Sequence, residues 1–288
     1  MIRTQQFLSP LAATVLGLAF LIPTQADAAP FFFSTGAPDG LIATRSRTAS
    51  AGKLETETAD DFVTTAHTLI NSATFTGLLP LGTPLTAVNQ VEIELYHVFP
   101  LDSGPPDGRV LTRTNSPSDN NFAAADSALG QLSFTVTVLN PTFTATNSVV
   151  NGIHPLPGQF TGGEGPVTGE EVQFNITFTT PFDLGAGDHV FFRPEVDLRS
   201  PGDFLWLSAP KPIVPPDTPF APDLQSWTRN DGAGALAPDW SRIGTDITHQ
   251  GPFNAAFSLS GQAPEPATLA LLGLGLAGLA ASRRRKLN

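Results

Sequence analysis

The residues that most often carry chemistry are sparse here. Five histidines, His67, His97, His154, His189 and His249, are scattered through the chain without the spacing of a metal site. No H-E-x-x-H, G-x-S-x-G or P-loop occurs, and no set of residues stands out as a nucleophilic triad. The absence of cysteine excludes disulfides, thiolate metal sites and cysteine nucleophiles. Glu92 and Glu94 would project from one strand face about 7 Å apart. Glycosidase carboxylates can stand that far apart, but they need a cleft. The alternation around these two places them on a solvated face. Asp60 and Asp61 enter a strand as adjacent acids. They are candidate calcium ligands, being hard oxygen donors, or caps on local backbone. Successive strand side chains point to opposite faces, so at most one of the pair is expected to be buried. Trp206, Trp227 and Trp240 are the only tryptophans. Their indoles could stack on sugars, or they could pin the Pro-rich stretch Lys211–Pro222 to the body. No cofactor is implied.

These residues sit in a β-pattern. Val91, Ile93 and Leu95 alternate with Glu92 and Glu94. Leu132, Phe134, Val136 and Val138 alternate with Ser133, Thr135 and Thr137. Val172, Phe174, Ile176 and Phe178 alternate with Gln173, Asn175 and Thr177. This period of two predicts half-buried strands. Further strands are expected at Asp61–Val63, Ser72–Gly77, Val190–Pro194, Phe204–Leu207 and Asn254–Leu259. Turns rich in Gly, Pro, Asn and Asp are expected at Asp102–Gly108, Ser116–Asn121, Pro155–Gly169 and Lys211–Pro222. No long helical stripe is visible. The expected class is all-β, an antiparallel β-sandwich with a jelly-roll as one arrangement of it. A division near residue 150 into two small sandwiches is the alternative. No internal repeat suggests a propeller or solenoid.

The net charge of the chain is −11. Five of the 15 basic residues but only two of the 26 acids lie in the terminal segments, so residues 29–262 carry 10 bases against 24 acids. A surface of net −14 repels phosphate backbones and argues against nucleic-acid binding.

Residues 1–28 read as a cleavable signal peptide. Arg3 supplies a positive start, Leu11–Ile22 an apolar run too short to span a bilayer comfortably, and Pro23 ends it. Ala26 and Ala28 are the small residues a signal peptidase would recognise, with the cut after Ala28. The exported domain is then residues 29–262.

Residues 263–288 form a three-part tail. Pro264, Glu265 and Pro266 come first. The uncharged run Ala267–Ala281 follows, and Arg283, Arg284, Arg285 and Lys286 close it. As a helix the run is about 22 Å long, short of a hydrocarbon core of about 30 Å. A single short transmembrane helix of this kind suits temporary anchoring. The basic cluster holds its end in the cytoplasm, leaving the body on the far side of the inner membrane. Gly273, Gly275 and Gly278 match G-x-G-x-x-G, but they lie inside the apolar run rather than between a strand and a helix.

This tail resembles the PEP-CTERM sorting signal. The resemblance covers about a tenth of the chain and implies a Gram-negative source. It also implies an exosortase, a transpeptidase-like membrane enzyme, cutting at or near Pro264, Glu265 and Pro266. Three stretches of the body are similar to other proteins that carry such tails: Thr58–Val63 with Ala73–Gly77, Gly162–Gly165, and Trp206–Pro210. No activity comes with that similarity. The expectation is an exported cell-surface or extracellular-matrix protein, first anchored in the inner membrane, with exosortase and signal peptidase as processing partners and a non-enzymatic body. Two alternatives remain open. One is a module binding extracellular polysaccharide through Trp206, Trp227 and Trp240. The other is a secreted hydrolase with an unrecognised site.

Overall fold

The computed structural model describes residues 28–50, 52–103, 114–153, 160–210, 225–230, 240–264 and residue 275. The expected signal peptide apart from Ala28 and the expected membrane helix apart from Gly275 lie outside these residues, as do Glu265, Pro266, Arg283, Arg284, Arg285 and Lys286.

Two sheets face each other. The smaller has six strands in the order β13-β12-β3-β10-β5-β6. These are β3 (Thr56–Val63), β5 (Val88–His97), β6 (Ala123–Asp126), β10 (His189–Leu198), β12 (Trp227–Asn230) and β13 (Ser241–Arg242). The larger has nine strands. Its central strand is β4 (Thr68–Leu79). One edge of β4 carries β9 (Val167–Leu184), and β7 (Leu132–Ala145) lies beyond it. The other edge is shared. The first part of β4 pairs with β15 (Phe257–Ala263), which pairs in turn with β1 (Ala29–Ser34). The last part pairs with β11 (Leu205–Ala209), followed by β2 (Ile42–Arg45) and β8 (Asn147–Val149). The short β14 (Asn254–Ala255) also borders β11. All these pairings are antiparallel except β2 with β8.

The edge of β4 divides at Gly77. A Cβ there would meet the Leu205 carbonyl oxygen at 2.4 Å and the Phe204 ring at 2.3 Å. Only a residue without a side chain lets β11 come in where β15 departs.

The main core lies between the sheets. Phe62, Ile93, Leu95, Val190 and Phe192 come from the smaller sheet, and Phe75, Phe174, Trp206 and Phe257 from the larger. Phe192 stacks on Phe257 across the gap, with ring centroids 5.2 Å apart. Phe75 and Phe174 stack within the larger sheet at 4.7 Å. Each such ring, taken out of water, contributes about 1.5–3 kcal/mol. The architecture is therefore the expected packing of two mainly antiparallel sheets. Residue 150 does not divide it. β3 and β4 precede that point, yet they pair with β10, β12, β9, β11 and β15, which follow it.

The expected strands are present, except that Asn254–Leu259 is broken at Ala256 into β14 and β15, and several run further than their alternation suggests. The loop expected to end at Gly169 stops earlier, because β9 begins at Val167. The strands β1, β2, β6, β8, β12 and β13 lie outside the expected segments. Every residue of β10 but Asp197 is buried, and β3 is buried on both faces, so neither shows a plain in–out rhythm.

Candidate functional site

The first candidate is the pole of the sandwich where the chain enters and leaves. β1 and β15 pair antiparallel along their whole length, from Ser34 opposite Ser258 to Ala29 opposite Ala263. Ala29 would follow the expected signal-peptide cut, and Ala263 precedes Pro264. The two expected processing points are therefore cross-strand neighbours, about 5 Å apart. β15 is held on both sides almost to its end. Gln262 pairs with Leu69 of β4 on one side and with Pro30 of β1 on the other. Phe33 fixes β1 from below, with its ring 5.4 Å from that of Phe257 and 5.8 Å from that of Phe62. Pro264 ends the ladder, since it has no N–H to give.

The second candidate is a buried polar layer on the outer face of the smaller sheet. Strand registry creates it. Arg193 lies opposite Glu94, Glu195 opposite Glu92, and Arg229 opposite Glu57, all facing away from the main core. Arg193 is 2% exposed and ion-pairs with Glu94, Glu195 and Glu55. Arg229 Nε donates to Glu57 Oε2 at 2.8 Å. The Tyr96 hydroxyl donates toward Glu57 and Glu94. Trp240 lies over this layer, 4.6 Å from the Arg229 guanidinium, and donates its indole N–H to the Ser118 carbonyl. Arg229 also donates to the Asp119 carbonyl. The turn expected at Ser116–Asn121 thus lies across the sheet and helps to close the layer.

Burial opposes ionisation of Glu57, but Arg229 and Arg193 outweigh it and hold its carboxyl below the usual range. Glu195 goes the other way. Its burial dominates the attraction of Arg193, and its carboxyl is pushed well up. Glu92 is pushed up to about 7, chiefly by burial. Two acids with opposed shifts are the arrangement of an acid–base pair. Here, however, they are consumed by fixed cations, and Glu57 and Glu195 are closed off from solvent.

Several expectations change. Glu92 and Glu94 are half-buried rather than solvated, because Arg193 and the covering segments lie against them. Asp60 and Asp61 are both buried, at 0% and 4% exposed, because both faces of this sheet are covered. They point to opposite faces and do not converge on a cation. Asp60 faces inward and accepts from the N–H groups of Ala255 and Asp61, so it ties β3 to β14 across the sandwich. Its pKa is raised well above normal, first by burial and then by the charge of Asp61. Asp61 faces outward, with Oδ2 2.5 Å from His189 Nε2. Burial lowers His189 to about 4, so a neutral imidazole occupies that place near neutrality.

None of the three indoles offers a face for a sugar: Trp206 and Trp227 are 1% exposed and Trp240 is 0%. Trp206 is a core residue that donates to the Ala256 carbonyl at 2.9 Å. Trp227 and Trp240 pack with Ala59, Tyr96 and Phe191 in the outer layer.

Gly162–Gly163–Glu164–Gly165 also acquires a structural role. The glycines at 162, 163 and 165 have φ near +80°. This bend returns the Glu164 carboxylate onto the N–H groups of Val150, Asn151 and Gly152, at 2.7–2.9 Å. At Gly163 a Cβ would lie 2.4 Å from Asn147 Oδ1.

The polar layer was missed by sequence reasoning, though it left a signal. Glu55 with Glu57, Glu92 with Glu94, and Arg193 with Glu195 are each two apart. Charges at strand period, on segments that pair, had to meet on one face.

With this geometry in place, the comparison with protein families decides which candidate matters. Residues 262–286 match the model of the PEP-CTERM protein-sorting motif. The chain carries that motif. A PEP-CTERM motif implies processing by an exosortase and an exported, membrane-anchored precursor. The match begins at Gln262, inside β15, so the PEP-CTERM motif follows the folded body without a linker. Among the described residues no helix is long and apolar enough to cross a membrane, and the run Ala267–Ala281, Gly275 apart, lies outside them. No curated protein matches the chain.

Proposed function

We propose that this protein is an exported cell-surface or extracellular-matrix component of a Gram-negative bacterium, with a non-enzymatic body. A signal peptidase cuts after Ala28. The tail then holds the precursor in the inner membrane with the body outside, and an exosortase cuts at or near Pro264, Glu265 and Pro266. The observation that carries this reading is the PEP-CTERM match abutting the last strand of a closed sandwich. Ala29 and Ala263 side by side give both processing steps one pole of the body to work on.

The polysaccharide-binding reading loses its platform, since Trp206, Trp227 and Trp240 are all inside. Contact with matrix glycan would have to use other residues. The hydrolase reading gains no support from the polar layer, whose carboxylates serve Arg193 and Arg229.

Replacing both Pro264 and Pro266 by Ala in the full chain tests the proposal. The expected outcome is a full-length or signal-peptide-free form that stays in the membrane fraction while the unaltered chain is shortened. Equal shortening of both would refute the exosortase assignment.

A further inference from the structure

β7 forms one margin of the larger sheet. Among the described residues it pairs with β9 and with no other strand. It is 14 residues long, whereas the other margins are shorter: β1 has six residues, β6 four, β8 three and β13 two. A long free edge presents unpaired backbone donors and acceptors, and sandwiches usually guard such edges with charges, proline or bulges. β7 is guarded only in its second half. Pro141 lies there, and the register with β9 breaks between Val138 and Asn140 and again before Phe143. From Leu132 to Val138 the strand is regular, residue for residue against Phe178 to Val172. No charged side chain occurs anywhere from Leu132 to Ala145.

We infer that Leu132–Val138 is a self-association edge whose partner is β7 of a second copy, paired antiparallel about a two-fold axis. Self-complementarity selects that occupant. Two bodies with 24 acids and 10 bases repel overall, but this strip carries no charge and sets no carboxylates against each other. With the axis at Val136, Phe134 faces Val138 of the partner copy and Thr135 faces its Thr137. Apolar groups then meet on the face where Phe134 and Val136 already border the core, and hydroxyls meet on the other. Val138, at 38% exposed, and the adjoining Leu139, at 49%, would be covered.

The contact is small, below the roughly 1,200 Å² of a standard interface, so it forms at high local concentration. Its polarity has a consequence that rests on the sorting reading. β7 runs antiparallel to β15, through β9 and β4. Two copies joined at β7 therefore send their tails to opposite poles. Such pairs suit released bodies, or bodies on facing surfaces, rather than neighbours in one membrane.

The native chain has no cysteine, which makes a direct test clean. Full-length protein in detergent would carry one cysteine at a time at Ser133, Thr135, Val136 or Thr137, with Leu129→Cys in an exposed turn as the control. Mild oxidation should give a disulfide dimer at least about tenfold faster at one β7 position than at Leu129, because pairing raises the local thiol concentration. The rate should fall on either side of that position. Adding Ser133→Lys or Thr135→Lys, whichever is not the linked site, should remove the advantage. No dimer, equal rates at every position including Leu129, or indifference to the lysine would each overturn the inference. None of these outcomes bears on processing of the tail, which the proline variants read separately.

Discussion

Asp60 joins the two sheets with a single carboxyl group. It has no exposed surface and accepts backbone N–H bonds from Ala255 and Asp61. Asp60→Ala would leave the buried Ala255 N–H without an acceptor and should lower stability by about 1–3 kcal/mol. Asp60→Asn keeps one carbonyl oxygen for the Ala255 N–H but turns its NH2 toward the Asp61 N–H, so its loss should be smaller than that of Asp60→Ala without vanishing. Urea unfolding of the two variants checks the order. The same residue shows what sequence alone conveys. A strand through Asp61–Val63 was legible, and so was the projection of Asp60 and Asp61 to opposite faces, but β3 begins earlier, at Thr56, so the two acids lie inside the strand and not at its entry. Their shared burial was not, because the outer face of β3, which local alternation assigns to water, is covered, with His189 against Asp61 and Trp227 and Trp240 packed beside Ala59. The tryptophans carried the same ambiguity. A stacking platform and a buried pin have the same composition, and only packing separates them.

At the scale of strands, the larger sheet depends on the branching of β4 at Gly77. Gly77→Ala places a methyl group against the Leu205 carbonyl and the Phe204 ring. Overpacking of this kind typically costs about 1–3 kcal/mol. The expected result is a lower thermal midpoint, with β11 and β2 losing amide-exchange protection before β9 does. Retained protection in β11 would mean that the branch relaxes at no cost. Period-two alternation found the long strands β5, β7 and β9, because each has one wetter face. It did not find β2 or β12, which are four residues long and fully buried. The ladder at the proposed processing pole, β1 with β15, was half legible. Asn254–Leu259 read as a strand, but the pairing of Ala29 with Ala263 is a contact between the two ends of the body and has no local signature.

At the scale of the whole molecule, buried titratable groups set how stability depends on pH. Asp60 and Glu195 are raised well above their ordinary values, and Glu92 is raised to about 7. A carboxyl raised on folding adds stability below its unfolded value and loses it as pH climbs through the folded one. His189 opposes this trend. Its fall from 6.5 to about 4 costs stability as pH drops between those values. Glu171 is raised as well, by burial, and His189 alone among these groups shifts the other way, so the thermal midpoint should be higher at pH 5.5 than at pH 7.5. Glu195→Gln should flatten that rise. Below about pH 4 the trend should reverse. Glu57 and Asp203 then gain protons, although Arg229 and Arg193 for the first, and Arg47 and Lys53 for the second, hold them low against burial. A midpoint that falls steadily from pH 7.5 to 5.5 would show that the polar layer is open to water.

In the proposed function, this closed body is delivered by trimming at one pole. The intact mass of the protein recovered from the surface or medium of its own cells measures both cuts at once. The predicted species begins at Ala29 and ends at or just beyond Pro264, because the backbone is held in the ladder through Ala263. Any conjugated glycan would add to that mass. A mature form that retains Arg283–Lys286, or that ends within β15 before Gln262, would contradict the account.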